Sequence, residues 1–329
     1  MMTKRENLLA AVRGGQPEHF VNQFEALGFI MGDPVQARSR KGFGIGKEYV
    51  NDWGVTIRWQ PGTPGPFPVH DAEHKVLKDI TKWKEVVHAP SLDLTEADWA
   101  PMAAMAAKID RKEKFVCPTV APGVFEQLHY LMGMDDCMIN FYLEPECIKE
   151  LIDYITEYEL GFAEQLCRYV KPDAIIHHDD WGSQRSTFLS PTMFEEFLLP
   201  SYKKIYGYYK SHGVELIIHH SDSYAQTLVP YMIEMGIDVW QGVLNTNDIP
   251  AMIKEYGGKI SFMGGINNGI VDVENWTQEL VHDLVEKTCR ACGPKYFIPS
   301  LTAGGPGSTY QGVYAAVTEE ILKMDSVLL

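Results

Sequence analysis

Two short apolar runs in this chain each end in paired histidines and then an acid: Ala174-Ile175-Ile176-His177-His178-Asp179-Asp180-Trp181-Gly182 and Leu216-Ile217-Ile218-His219-His220-Ser221-Asp222. Imidazole is both the commonest metal ligand and a general acid near neutral pH, so a histidine beside an acid has two chemical uses. A carboxylate placed there accepts or donates a proton, binds a metal, or holds a ligand hydroxyl. Along a strand, neighbouring residues point to opposite sides. One of Asp179 and Asp180 is therefore expected to face inward while the other caps or braces a loop. Of His219 and His220, one faces inward and the other packs against a helix as a satisfied core histidine. Asn22-Gln23-Phe24-Glu25 closes a further strand-like run and places Glu25 on the same rim. Glu126, one turn into a helix after Val116-Cys117-Pro118-Thr119, reads either as an inward-reaching acid or as a solvated one.

Groups of this kind need rigid elements behind them. A β-branched apolar run followed by a long amphipathic stretch reads as a buried parallel strand leading into a helix. The polar cluster then sits at the strand's C-terminal end, where α/β folds do their chemistry. Strands are expected at Phe20–Phe24, Phe115–Thr119, Ala174–His178, Glu215–His219, Asp238–Trp240, Ile260–Met263 and Tyr296–Ile298. Helices are expected over Val124–Met132, Pro145–Arg168, Pro191–Ser211, Tyr224–Met235, Ile249–Tyr256, Trp276–Arg290 and Tyr310–Lys323. One more strand before residue 115 would complete an α/β fold of the (β/α)8 TIM-barrel type, a single domain over residues 1–329. Residues 30–100 read as an excursion decorating the barrel mouth, with a Pro/Gly-rich loop at Gln60-Pro61-Gly62-Thr63-Pro64-Gly65-Pro66-Phe67-Pro68.

The chain has 329 residues, 45% hydrophobic and 22% charged, which is ordinary globular usage. Its formal charge of −15, from 44 acids against 29 bases, repels nucleic-acid backbones and anionic membranes. No apolar segment approaches the ~18 residues of a membrane span, and the N-terminus has no apolar signal region. A cytoplasmic protein with free thiols at its six scattered cysteines is expected. Cys289-x-x-Cys292 is half of a zinc motif with no second pair near it, and reads as buried thiols. Met263-Gly264-Gly265-Ile266-Asn267 and Ala303-Gly304-Gly305-Pro306-Gly307-Ser308 fit neither a dinucleotide fingerprint nor a phosphate loop, and read as turns that let backbone approach a ligand.

Taken in order, these pieces resemble the uroporphyrinogen decarboxylase superfamily, whose members are single (β/α)8 barrels and include porphyrin decarboxylases and cobamide-dependent methyltransferases. The resemblance runs through Asn51-Asp52-Trp53-Gly54, Ala121-Pro122-Gly123-Val124-Phe125-Glu126, Leu131-Met132-Gly133 and Leu143-Glu144-Pro145-Glu146. It continues through Asp179-Asp180-Trp181-Gly182, His219-His220-Ser221-Asp222 and Phe262-Met263-Gly264-Gly265-Ile266. These motifs are specific for the superfamily and much less so for the reaction. The decarboxylases carry an arginine-bearing N-terminal signature for a polyanionic tetrapyrrole, where this chain reads Gln23-Phe24-Glu25-Ala26-Leu27-Gly28. Their C-terminal histidine is also absent from Pro299-Ser300-Leu301-Thr302-Ala303-Gly304.

The methyltransferase branch fits better, although the His-x-Cys motif and distant Cys that hold zinc in the coenzyme M enzymes are replaced here by His219-His220-Ser221 and a stretch without cysteine. The remaining oxygen and nitrogen groups suit an oxygen leaving group. The chain is most similar to the methyltransferase component of O-demethylase systems, which moves a methyl group from a phenyl methyl ether such as veratrole or guaiacol to the cob(I)amide of a corrinoid protein. That resemblance implies a small methoxylated aromatic substrate, a corrinoid partner, and a centre at His219 and Asp180 with Asp179, Asp222 and Glu25 close by. Zinc on His219 and Asp222 is a further expectation. Glu126, Trp181, His220, Tyr224, Trp240 and Phe24 are expected to bind substrate, the aromatic ones around the aryl ring. The alternatives are tetrapyrrole decarboxylation and a non-catalytic ligand-binding barrel.

Overall fold

The computed structural model describes residues 1–63, 65–305, 307 and 309–328, so Pro64 of the first loop and Pro306 and Ser308 of the second lie outside the described residues. Strand β1 (Leu27–Ile30) is followed by three short strands, β2 (Glu48–Val50), β3 (Thr56–Arg58) and β4 (Phe67–Pro68), which form a separate antiparallel sheet. Then come β5 (Phe115–Val120), β6 (Ala174–His178), β7 (Leu216–His220), β8 (Val239–Val243), β9 (Ser261–Ile266) and β10 (Phe297–Leu301). With β1 these make a seven-stranded, all-parallel, curled sheet in chain order, helices filling the connections. A parallel sheet covered on both faces explains why the strands read as near-continuous apolar runs.

Alternation within the strands sorts the core in two. Ala174, Ile176, Leu216, Ile218, Val239, Met263 and Ile298 pack with one another inside the curl. Ile175, Ile217, Trp240, Phe262 and Phe297 pack outward beneath the helices. The same parity fixes the histidines: His177 and His219 go outward with Ile175 and Ile217, His178 and His220 inward with Ile176 and Ile218.

The expected strand at Phe20–Phe24 is instead an extended segment entering a turn, with Gln23 at a left-handed φ of 51°. Its Gln23 N–H donates to the Pro299 carbonyl at 3.2 Å, a lone backbone bond beside β10, and no eighth strand closes the sheet among the described residues. The helix expected over Pro191–Ser211 divides into Pro191–Phe197 and Leu199–Ser211, because Pro200 has no N–H to continue the ladder. The run Tyr224–Met235 holds a 3-10 turn and the short helix Val229–Glu234. Gly264 and Gly265 lie within β9, where a Cβ on Gly264 would stand 2.6 Å from the Val243 carbonyl oxygen; this close approach is to β8 and not to a ligand. No helix among the described residues is long and apolar enough to cross a membrane.

Candidate active site

The C-terminal ends of β6 and β7 run in parallel register, pairing His177 with His219 and His178 with His220. The inward pair, His178 and His220, stack with ring centroids 4.4 Å apart. Each is held by its Nδ1: His178 against a Glu126 carboxylate oxygen at 2.9 Å, His220 against the side-chain carbonyl oxygen of Gln241 on β8. Those bonds leave both Nε2 atoms free. Asp180 is the second residue past the end of β6, its Oδ1 accepting the Asp222 N–H at 3.0 Å and lying 3.9 Å from Nε2 of His220. One ligand atom each from His178, Asp180 and His220 lie within 4.8 Å of one another, the only such group of three among the described residues.

Glu126 gets there by a device spread over two elements. Helix Val124–Met132 begins after Gly123, which has no side chain with which to cap it. Asp179 supplies the cap from β6, accepting the Phe125 N–H at 3.0 Å and the Glu126 N–H at 2.7 Å, along with the Trp181 indole N–H at 3.2 Å and the Tyr202 hydroxyl. A Cβ on Gly123 would sit 2.6 Å from the Cβ of Asp179, so the glycine is what lets the carboxylate reach the helix. Burial, and then the nearby Glu126, push the Asp179 carboxyl up, so the cap acts through its hydrogen bonds to the two N–H groups. Asp179 is thus a buried structural anchor that turns Glu126 toward His178.

Electrostatics in the cluster follow from burial and crowding. Burial raises Glu126, against the pull of His178. For His178 burial works downward, but Glu126, Asp180 and Asp179 outweigh it and push the imidazole up to about 10. His220 is lowered to about 4 by burial and by its neighbour His178, which leaves it neutral with a free Nε2 lone pair. Burial, and then the adjacent Asp180, push Asp222 up to about 7. An acid in that range suits proton transfer at neutral pH.

These groups line a cavity of about 1160 Å³ at the open end of the sheet. Its walls include Phe67, Tyr130, Met134, Phe188 and Tyr310, and the excursion contributes Gly62, Thr63, Gly65, Pro66, Phe67, Pro68 and His70. Nε2 of His70 and Nδ1 of His129 are buried on this wall without a partner. Burial lowers both, His129 to about 4. Among the described lining residues there is no lysine or arginine.

Other expected site residues lie elsewhere. His219 is fully buried on the outer face, its Nδ1 2.7 Å from the Tyr206 hydroxyl, its Nε2 3.1 Å from the Asp179 carbonyl, and its ring stacked 3.7 Å from Trp181. The strand parity that sends Ile217 outward sends His219 with it, so it does not join Asp222 as a metal ligand. Trp181 and Trp240 are outward core residues, the Trp240 indole donating to the Ser221 carbonyl at 2.9 Å. The Tyr224 hydroxyl accepts from Gln226 at 2.9 Å, and the residue is not part of the cavity wall. Phe24 and Glu25 precede β1 instead of following a strand, which puts them at the opposite end of the sheet; Glu25 accepts the Asn22 N–H at 2.8 Å and lies 3.7 Å from Lys4. Asp180, Asp222, Glu126 and His220 are brought together as expected. His178, Gln241, His70 and His129 are additions; for His178 the signal was present in its matched position in the two His-His runs. Cys289 and Cys292 share the helix Gln278–Cys292, with both thiols pushed up to about 12 by burial.

Residues 52–323 match the family described as Uroporphyrinogen decarboxylase (URO-D). No curated protein matches the sequence. Among solved structures the chain is similar to a methyltransferase from Methanosarcina mazei, 12% identical, over 98% of this chain and 99% of that one with a TM-score of 0.66. It is also similar to a B12-independent methionine synthase from Shewanella sp. W3-18-1, 12% identical, over 73% of this chain and 68% of that one with a TM-score of 0.42. At 12% identity the first likeness speaks to fold.

Proposed function

The chain belongs to the uroporphyrinogen decarboxylase family, and within it we propose a cytoplasmic methyltransferase that cleaves a phenyl methyl ether and passes the methyl group to the cob(I)amide of a corrinoid protein. The observation that carries this reading is the composition of the cavity: acids and histidines, aromatic side chains, and no lysine or arginine among the described lining residues. A polycarboxylate tetrapyrrole would meet Glu126, Asp180, Asp222 and Asp272 there with no arginine or lysine to receive it. A neutral aryl ether suits the same surface.

In this reading the aryl ring lies among Phe67, Tyr130, Phe188 and Tyr310, its methyl group toward the open end, where the corrinoid partner approaches. His70 and His129, neutral and unpartnered, are placed to hold a second ring oxygen. The methyl group would pass to the partner's cob(I)amide, which supplies the electron pair of the new bond, as the carbon–oxygen bond breaks and its bonding pair leaves with the phenolic oxygen; Asp222 delivers a proton to that oxygen. His178, Asp180 and His220 suit zinc: two imidazoles with Nδ1 fixed by acceptors, plus one carboxylate, the donor set of an open catalytic site, with the Nε2 proton of His178 given up as the metal binds. A metal held there supplies Lewis-acid polarisation of an ether oxygen.

The test is incubation of the protein with a panel of methoxybenzenes and a reduced corrinoid protein, scoring phenol and methylcobamide together. Equal amounts of both products are expected from at least one aryl ether. Phenol without methylcobamide, or neither product from any member, contradicts the reading, the latter outcome favouring the non-catalytic barrel.

A further inference from the structure

A second cavity, of about 150 Å³, lies outside the curl of the sheet, between the excursion and the long helix Pro145–Tyr169. Cavities of this size hold a molecule about as large as benzene. Gln127, Glu159 and Asp33 all line it, and they are 2%, 6% and 5% exposed. Both amide atoms of Gln127 and Oε1 of Glu159 are buried and make no hydrogen bond. The other oxygen of Glu159 is committed to His177 at 2.9 Å, and Oδ1 of Asp33 to the Gln36 N–H at 2.9 Å. Buried polar atoms are almost always paired, so three orphans on one cavity wall mark a place where something else supplies their partners.

The chemistry of the wall restricts what that is. Three carboxylates line it, Asp33, Glu159 and Asp52, the last already paired with Arg38 at 3.0 Å. The two free acceptors, Oε1 of Glu159 and Oε1 of Gln127, outnumber the one free donor, Nε2 of Gln127, so the missing partner chiefly donates. Arg40 is the sole lysine or arginine among the described lining residues, and it is exposed with its Nε already given to the Tyr49 hydroxyl at 2.8 Å. Trp53, Tyr130, Tyr158 and Phe162 complete the walls, an arrangement that favours an organic cation through ring faces and carboxylates together. Neither Glu159 nor Asp33 converges with two further metal-ligating side chains, so the geometry does not suit a bare metal ion. We propose that this cavity binds a small protonated amine, its N–H groups donating to Glu159 and Gln127 and its carbons packed against Trp53 and Tyr158.

The site is separate from the cluster at His178, although Ala121, Tyr130 and Pro66 line both cavities. Tryptophan fluorescence of the full chain is followed on titration with methylammonium and dimethylammonium chloride against sodium chloride at equal ionic strength, the signal of Trp53 among the seven tryptophans being identified by its loss in Trp53→Phe. Saturable binding of an ammonium is expected, weakened roughly tenfold or more in Glu159→Gln and in Gln127→Leu, each checked for folding by its melting transition. Filling the opposite wall with Val35→Phe is expected to abolish it. A response no different from sodium chloride, or the same affinity in the folded variants, overturns the proposal. So does a crystal soaked with dimethylammonium that shows only ordered water in the cavity, and that result decides the matter if Glu159→Gln fails to fold.

Discussion

Under the proposed function, Asp222 and the two inward histidines divide the chemistry of the site between them. Asp222→Asn keeps the shape of the side chain but cannot give a proton to a departing phenolate, so methyl transfer should fall by roughly 10²–10⁴-fold with binding of the aryl ether little changed, as read by kcat against KM. His178 and His220 are expected to hold zinc, so elemental analysis should find roughly one zinc per chain in the parent protein and almost none in His178→Ala or His220→Ala. His219→Ala is the informative contrast. Its ring is packed against Trp181 and bonded to Tyr206, so the substitution should cost about 3 kcal/mol of stability, measured by denaturant unfolding, while zinc content is retained.

At the scale of the element, the site depends on a strand end capping a neighbouring helix. Gly123→Ala would drive a methyl group into Asp179, and the helix Val124–Met132 would have to retreat, taking Glu126 away from His178. A loss of about 1–3 kcal/mol is expected for the overpacking alone, seen as a lowered melting temperature together with reduced zinc occupancy. This kind of coupling is what local pattern conveys poorly. The strand Ala174–His178 and the helices Val124–Met132 and Ile249–Tyr256 were legible to the residue, because each has an uninterrupted apolar period. The parity of the second His-His pair was legible in principle but needed the register of β7 fixed to one residue, and an expected strand of 215–219 in place of Leu216–His220 left it open. Glu25 was misplaced for a different reason. Phe20–Phe24 has the composition of a strand, yet Gln23 turns the chain and β1 starts only at Leu27, so the acid sits before a strand and not after it. Gln241 and His129 carry no sequence signal of their own; one is a polar residue inside an apolar strand, the other a histidine on a helix, and only the cavity gives them a role.

For the molecule as a whole, one contribution to acid stability lies where the last two helices meet. Glu320 on helix Val313–Leu328 is 1% exposed and accepts from Gln278, from His282 at 2.7 Å and from Lys323 at 2.8 Å. Burial alone would raise its carboxyl, but those donors prevail and hold it at about 2. A depressed carboxyl stabilises the fold fully above its ordinary value of 4.5 and ceases to do so as pH falls through about 2. Glu320→Gln should therefore lower stability at pH 7 by about 2 kcal/mol and flatten the decline between those limits, as followed by urea unfolding across pH. Residues 62–63, 65–68 and 70 of the excursion extend the wall of the main cavity. Under the proposed function the open end of that cavity would be the route for a partner-borne corrinoid. The most direct test of that account is a single turnover in which excess protein meets one equivalent of an active methoxybenzene and cob(I)amide on its carrier protein, the cobalt spectrum recorded over time. Conversion of cob(I)amide to methylcobamide, slowed by Asp222→Asn and His178→Ala, is the predicted result. Conversion at an unchanged rate in both variants would place the chemistry outside this site and contradict the account.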